Sequence, residues 1–417
     1  MRWLIVTKLA FPQLAIGTLF RPKLQNMSVQ PTMIALVAEG FLTRLGFGMI
    51  GFALPLYALS LGTSIAKIGL LYVLSTIVSL AMKPAMGWLA DRVGRKRILV
   101  GAVLLRCLVG LLLVFATLPW QLFAIRGLQG AMTAAREPSI MALLAEHGSK
   151  KRMASAFAWY ATARDLGRSL GYGAAGLLIT YLGFWWVFLL AFACSCAALF
   201  TVLRYVEERK TAEPKEIMKH ARLFTEEKPA AGIRPRLFRY AGFGLLVTLT
   251  AEMMRGLFPV VATQYAHLSE ADAGIAASAA SIAILIGGPL FGWFADRGNR
   301  NLVLSLRSFA NAGSCVLYML FPNFTGFLTG RTLDDMGKAA FRPAWGSMLV
   351  EISEHDEKTR AQTMAILDTT SDVGEILGPI LAGLLISAFG IPGMLAVRIV
   401  LALVTEAQAY MLFRKIE

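Results

Sequence analysis

Twelve apolar runs, each long enough to cross a bilayer, follow one another down this chain. They lie near 31–60, 64–89, 96–117, 120–146, 152–179 and 182–206, then 239–265, 271–294, 300–321, 324–351, 359–387 and 391–413. A hydrocarbon core demands about 20 mostly apolar helical residues per crossing. Backbone polar groups cannot be left bare in lipid, so such runs cross as helices. The pattern predicts an all-α polytopic membrane protein with twelve transmembrane helices. Composition agrees, with 56% hydrophobic and 16% charged residues and a mean hydropathy of +0.60. A soluble domain of this size needs far more polar surface.

The formal charge of +15 could indicate nucleic acid, but its distribution indicates topology. "DRVGRKR", "EHGSKKR", the 207–238 segment, "DRGNR" and "FRKIE" alternate with the almost uncharged "LGTS", "TLP", "YLGFWW", "FPNFT" and "FGIPG". The positive-inside rule places both termini and the central segment in the cytoplasm. The expected location is a bacterial cytoplasmic (inner) membrane, with the lipid bilayer as partner and no nucleic acid. Residues 1–29 read as an amphipathic interfacial segment, because Lys8 and Pro12 interrupt the apolar run a signal peptide needs. Residues 30–206 form the first lobe, 207–238 a cytoplasmic linker and 239–414 the second lobe. Cys107, Cys194, Cys196 and Cys315 lie inside apolar stretches, and no cysteine or histidine spacing suits a metal. No metal or cofactor is expected.

The two lobes repeat. "GWLADRVGRKRILV" (87–100) recurs as "GWFADRGNRNLVLS" (292–305), 205 positions later. At the same offset "RGLQGAMTAAREPSIMALLAE" (126–146) matches "RTLDDMGKAAFRPAWGSMLVE" (331–351). "RDLGRSLGYGAAGLL" (164–178) matches "SDVGEILGPILAGLL" (371–385), superposing Asp165 on Asp372 and Gly176 on Gly383. Both halves have six spans and start on one side, so the pseudo-two-fold axis runs along the membrane normal.

These motifs resemble the major facilitator superfamily over residues 30–414. Gly87, Asp91, Arg92, Gly94, Arg95 and Lys96 match its loop motif between helices 2 and 3, and Gly292, Asp296, Arg297 and Arg300 form a weaker copy between helices 8 and 9. Arg126 and Gly130 of "RGLQG" resemble its helix 4 motif, common in proton-coupled members. Tyr172 stands where the third motif has a proline, and Gly378–Pro379 supplies that pair in the second half. The resemblance implies two six-helix lobes around a central cavity, alternating access, a monomer, and a cytoplasmic latch in the loop motif. The residues alone support a turn there too: glycine permits sharp bends and close approach, Asp91 can accept from a helix N-terminus, and the basic residues meet headgroups.

Ionisable side chains deep in such helices are costly and by default face a cavity or a partner. Helices 1, 4 and 5 carry Glu39, Arg44, Arg126, Arg136, Glu137, Arg164, Asp165 and Arg168; helices 7, 10 and 11 carry Glu252, Arg255, Arg331, Asp334, Asp335, Lys338, Arg342, Asp368, Asp372 and Glu375. The first set has five basic against three acidic residues and the second four against six, a bias that suits pairing across the interface. The site candidates for substrate and proton are Glu39, Arg44, Glu137, Asp165, Arg168, Glu252, Arg255, Asp335, Lys338, Asp372 and Glu375. A buried carboxylate is a natural proton carrier; Glu39, Asp165 and Glu252 are the leading ones. Buried arginines suit anionic groups.

The expected function is secondary active transport by alternating access, as proton-coupled export of a small organic molecule. Lipophilic drug-like compounds would use walls such as Phe41, Phe47, Met49 and Phe258. The alternatives are an anionic metabolite or lysolipid-like amphiphile held by Arg and Lys, a facilitator without proton coupling, or a receptor or scaffold on the same fold. No nucleophile–base pair or phosphate loop indicates an enzyme.

Overall fold

The computed structural model describes residues 31–147, 153–207, 234–294, 300–354 and 360–413, and every element among them is a helix. The first half contributes α1 (Pro31–Ser60), α2 (Ile65–Val93), α3 (Arg95–Phe115), α4 (Pro119–His147), α5 (Met153–Leu182) and α6 (Phe184–Tyr205). The second contributes α7 (Arg234–Arg255, continued after a break by Phe258–Gln264), α8 (Glu270–Phe294), α9 (Arg300–Leu320) and α10 (Phe324–Glu354). The last element, Arg360–Phe413, is two crossings joined at Gly390 (φ 72°, ψ 179°); its arms, 360–389 and 391–413, are α11 and α12. The interfacial segment expected at 1–29 lies outside the described residues, as does nearly all of the linker.

Five helices meet a strict test of length and hydropathy for crossing a membrane, or six with α7 taken across its break, and the last element passes as one. Of the others, three are rich in interior charge: α4 with Arg126, Arg136 and Glu137, α5 with Arg164, Asp165 and Arg168, and α10 with Arg331, Asp334, Asp335 and Lys338. Their polar residues face protein or a cleft rather than lipid.

Two details depart from the sequence reading. The loop motif is not a turn over Gly87–Arg92, because α2 stays helical to Val93 and the chain turns only at Gly94 (φ 108°). Nothing in 87–93 breaks a helix, and Trp88 and Arg92, one turn apart, stack with the guanidinium 4.0 Å from the ring centroid. A methyl on Gly87 would meet nothing within 4 Å, so no close approach is made there. The second departure is α7, which bends by 49° between Arg255 and Phe258. Pro259 has no N–H to return to the carbonyl one turn back, and Gly256 offers little resistance.

Among the described residues the lobes meet at one end only. The largest core cluster joins Ile68, Leu71, Ala175 and Ile179 of the first lobe to Met253, Leu257, Ala273, Ala276, Ala382 and Ile386 of the second. All lie in the half of the bundle near the short turns at Gly62, Gly183 and Gly390. Towards the basic loops the clusters separate: Leu36, Leu99, Leu144 and Val202 pack within the first lobe, Phe243, Ala340, Met348 and Ala409 within the second. A cleft therefore opens to the basic-loop end.

Two pseudo-symmetric seams close the other end, α5 on α8 and α2 on α11. A methyl on Gly274 would press on the Tyr172 carbonyl, and one on Gly69 would overlap that of Pro379. A methyl on Gly176 would overlap the Glu270 carbonyl, and one on Gly383 would crowd Ala66 and the Ile65 carbonyl. These are matched pairs of the repeat, so small residues let backbone meet backbone at both seams. Across the first, Ser169 Oγ donates to the Ser278 carbonyl (2.7 Å), and the Ala271 N–H, in the first turn of α8, donates to Thr180 Oγ1 (2.9 Å).

Candidate functional site

In the first lobe the deepest charge pair is Glu39 with Arg136. Arg136 Nε and Nη2 donate to the two carboxylate oxygens at 2.8 and 2.7 Å, Thr43 Oγ1 adds a third bond at 2.8 Å, and Glu39 is 0% exposed. This bidentate arrangement spends both Glu39 oxygens on fixing α1 to α4. Arg44 reaches Glu137 at 3.4 Å, both partly exposed, and sits in the field of Arg136, Arg164 and Arg168. Asp165 and Arg168 pair at 2.7 Å. Arg106 of α3, absent from the sequence candidates, is buried and donates to the Thr43 carbonyl at 2.6 Å.

The second lobe holds a denser network. Asp334 accepts from Arg307 (2.8 Å), Lys338 (2.9 Å) and Arg398 (3.2 Å). Lys338 also bonds Asp335 (2.8 Å), which faces Arg331 at 3.3 Å. Arg331, Asp335 and Lys338, spaced by four and three residues on one face of α10, form a ladder; the Arg342 and Asp368 side chains lie outside the described set. Arg307 and Arg398 were missed by the sequence reading, as Arg106 was. Each is one arginine in an otherwise apolar run, "LSLRSF", "AVRIV" and "LLRCL", and that isolation was the available signal.

At the cleft, Arg255 lies 3.1 Å from Glu252 and 4.0 Å from Glu375. Asp372, one turn from Glu375 on α11, makes no hydrogen bond or ion pair among the described residues. Two of the four expected wall residues, Met49 and Phe258, are packed in the core. Phe47 is partly exposed and stacks under Arg44 and Arg106, 5.4 and 5.6 Å from its centroid.

The expectation of pairing across the interface fails among the described residues, where every ion pair stays inside one lobe. The physical reason is the cleft: the lobes part where these charges lie.

Arg126 is buried against α2, donating to the Leu71 carbonyl (3.2 Å) and Gln129 Oε1 (2.6 Å), with its guanidinium 4.7 Å from the Tyr72 ring centroid. A methyl on Gly130 would overlap α2 at the Ser75 carbonyl and Val78, so that glycine permits close packing. Tyr72 in turn donates to the Gly51 carbonyl (2.6 Å) and lies against Gly256. Of the loop motif, Gly94 makes the turn, Arg92 stacks on Trp88 and Arg95 opens α3. The Asp91 side chain is not described, Gly292 lies in the last turn of α8, and Asp296 and Arg297 fall outside the described residues.

A sequence profile described as Major Facilitator Superfamily matches residues 39–254 and 240–416, together nearly the whole chain. The chain belongs to the Major Facilitator Superfamily. Among its relatives, multidrug resistance protein MdtG of Serratia proteamaculans is 26% identical over 364 residues, covering 84% of this chain and 86% of that one. The protein of the same name from Erwinia billingiae is 23% identical over 408 residues, covering 94% and 96%. The nucleoside transporter NupG shares the fold with a TM-score of 0.74 at 16% identity, over 93% of this chain and 100% of that one. A bacterial homologue of the human lysosomal transporter Spinster, captured inward-facing, gives 0.70 at 16% identity over 92% and 96%. As a superfamily member this chain is a small-molecule transporter of the membrane, with two six-helix lobes and a cleft between them.

Proposed function

We propose that this transporter exports drug-like organic compounds in exchange for protons. One observation carries the reading: at the cleft wall two carboxylates, Glu252 and Glu375, share one guanidinium, Arg255, and a third, Asp372, one turn from Glu375, makes no ion pair among the described residues. The cluster has a surplus of negative charge that a proton or a cationic substrate group can neutralise, and neutralisation removes the cost of carrying that charge into a closed, water-poor state. The curated relatives named as multidrug resistance proteins support the substrate class. Glu39, a leading candidate from sequence, is assigned instead a structural role, because its two oxygens are held by Arg136. Asp165 balances Arg168, and Asp335 holds Lys338 in place.

The protein works as a monomer in the bilayer, both termini and the basic loops cytoplasmic, so the cleft opens inward. The turn at Gly94 with Arg92, Arg95 and the 292–297 segment serves as the latch that closes when the seams part. In proteoliposomes with an imposed proton gradient, efflux of a fluorescent lipophilic dye should follow the gradient and collapse with an ionophore. The variants Glu252→Gln, Asp372→Asn and Glu375→Gln should each lose gradient dependence. Gradient-driven efflux that survives all three together overturns the coupling assignment.

A further inference from the structure

The internal repeat keeps its scaffold and changes its charge where the two lobes face the cleft. On α5 and α11, Asp165 matches Asp372 and Arg168 matches Glu375. The matched residues Tyr172 and Pro379, and beyond them Gly176 and Gly383, stand where each helix touches the opposite lobe. Residues 165 and 168, and 372 and 375, continue those same helix faces towards the basic-loop end, with Arg168 level with the cross-lobe bond from Ser169 to Ser278. Partial exposure fits that placement, with side-chain values of 31% for Asp165, 24% for Arg168 and 39% for Glu375. One scaffold position thus offers a guanidinium on one wall and a carboxylate on the other.

The neighbours widen the difference. On the first-lobe wall Arg44 and Arg164 join Arg168 against Glu137 and Asp165, and Arg164 rests 5.4 Å from the Tyr160 ring centroid with no acidic partner among the described residues. On the second-lobe wall Arg255 pairs with Glu252 and lies 4.0 Å from Glu375, and Asp372 has no ion-pair partner among the described residues, while Lys338 is drawn back onto Asp334 and Asp335, which it shares with Arg307, Arg398 and Arg331. A ligand with one charge matches one wall and leaves the other uncompensated in a weakly screened site. A ligand with both charges matches both.

We infer that the cleft selects zwitterionic amphiphiles, with the anionic group at Arg164 and Arg168 and the cationic group at Asp372 and Glu375. This rests on the export reading above and narrows its substrate class. A fluoroquinolone carrying one piperazine amine and one carboxylate, its methyl ester and its N-acetyl derivative form a trio that differs chiefly in charge. Their dissociation constants are measured on the purified full-length protein at neutral pH. The zwitterion should bind about tenfold more tightly than either derivative, one charge contact being decisive in each case. Arg168→Gln should erase the preference over the ester alone, and Glu375→Gln the preference over the N-acetyl form alone. Equal binding of the trio by the unmodified protein overturns the inference, as does binding by none of them or a preference that neither variant alters. Gradient-driven efflux of a singly charged drug in the same preparation would then leave the export reading standing; the absence of gradient-driven efflux for compounds of every charge would sink that reading as well.

Discussion

At the scale of single residues, the interior charges divide into those that hold the lobes together internally and those that look into the cleft. Glu39 and Arg136 belong to the first kind, and removing one partner strands a buried charge. Glu39→Ala should destabilise the protein by about 3–5 kcal/mol, whereas Glu39→Leu combined with Arg136→Leu should recover most of that loss. The check is thermal melting of the purified variants; a single variant as stable as the parent would contradict the assignment. Asp372→Asn should leave melting almost unchanged, because the carboxylate has no hydrogen-bond or ion-pair partner among the described residues. Sequence reading found these residues but could not sort them: spacing puts Asp165 beside Arg168 and Asp335 beside Lys338, yet it is silent on Arg136 reaching Glu39 from another helix, 97 positions away.

At the scale of elements, the seams are where backbone meets backbone, and repeat-related glycines make both possible. Gly274→Val should lower transport by an order of magnitude or more, since the added methyls must push α8 off α5 and the bundle can no longer close at the short-loop end. Gly69→Val should act in the same way on α2 and α11. Gly101→Val, where an added Cβ meets nothing within 4 Å on the lipid-facing side of α3, is the matched control and should transport normally. Equal rates in all three would refute the role given to the seams. The repeat was legible and paired Gly176 with Gly383, though its matching stretches did not reach Gly69 and Gly274; the helices were legible too, because apolar runs and charged loops mark each crossing. The break in α7 was overlooked although Gly256 and Pro259 announce it. The helical course of Gly87–Arg92 was misread because a motif associated with a loop contains a glycine that the helix tolerates.

At the scale of the whole molecule, the separate core clusters at the basic-loop end and the shared one at the other define an open cleft on one side. The proposed cytoplasmic placement of the basic loops puts Thr117, in the α3–α4 turn, on the outer side. In intact cells the variant Thr117→Cys should react with a membrane-impermeant maleimide, while the four native cysteines, inside helices α3, α6 and α9, stay silent. Labelling only after the membrane is permeabilised would invert the topology. The charge counts gave oppositely biased lobes but suggested pairing between them, and only the three-dimensional arrangement shows the ion pairs among the described residues staying within each lobe. Exchange of substrate for protons at Glu252, Asp372 and Glu375 is the central claim, and proton release on substrate binding tests it most directly. With purified protein in weakly buffered detergent, adding a transported compound should acidify the solution, and Asp372→Asn combined with Glu375→Gln should abolish the signal while binding persists. Substrate binding without proton release in the unmodified protein, or release undiminished in the double variant, would contradict it.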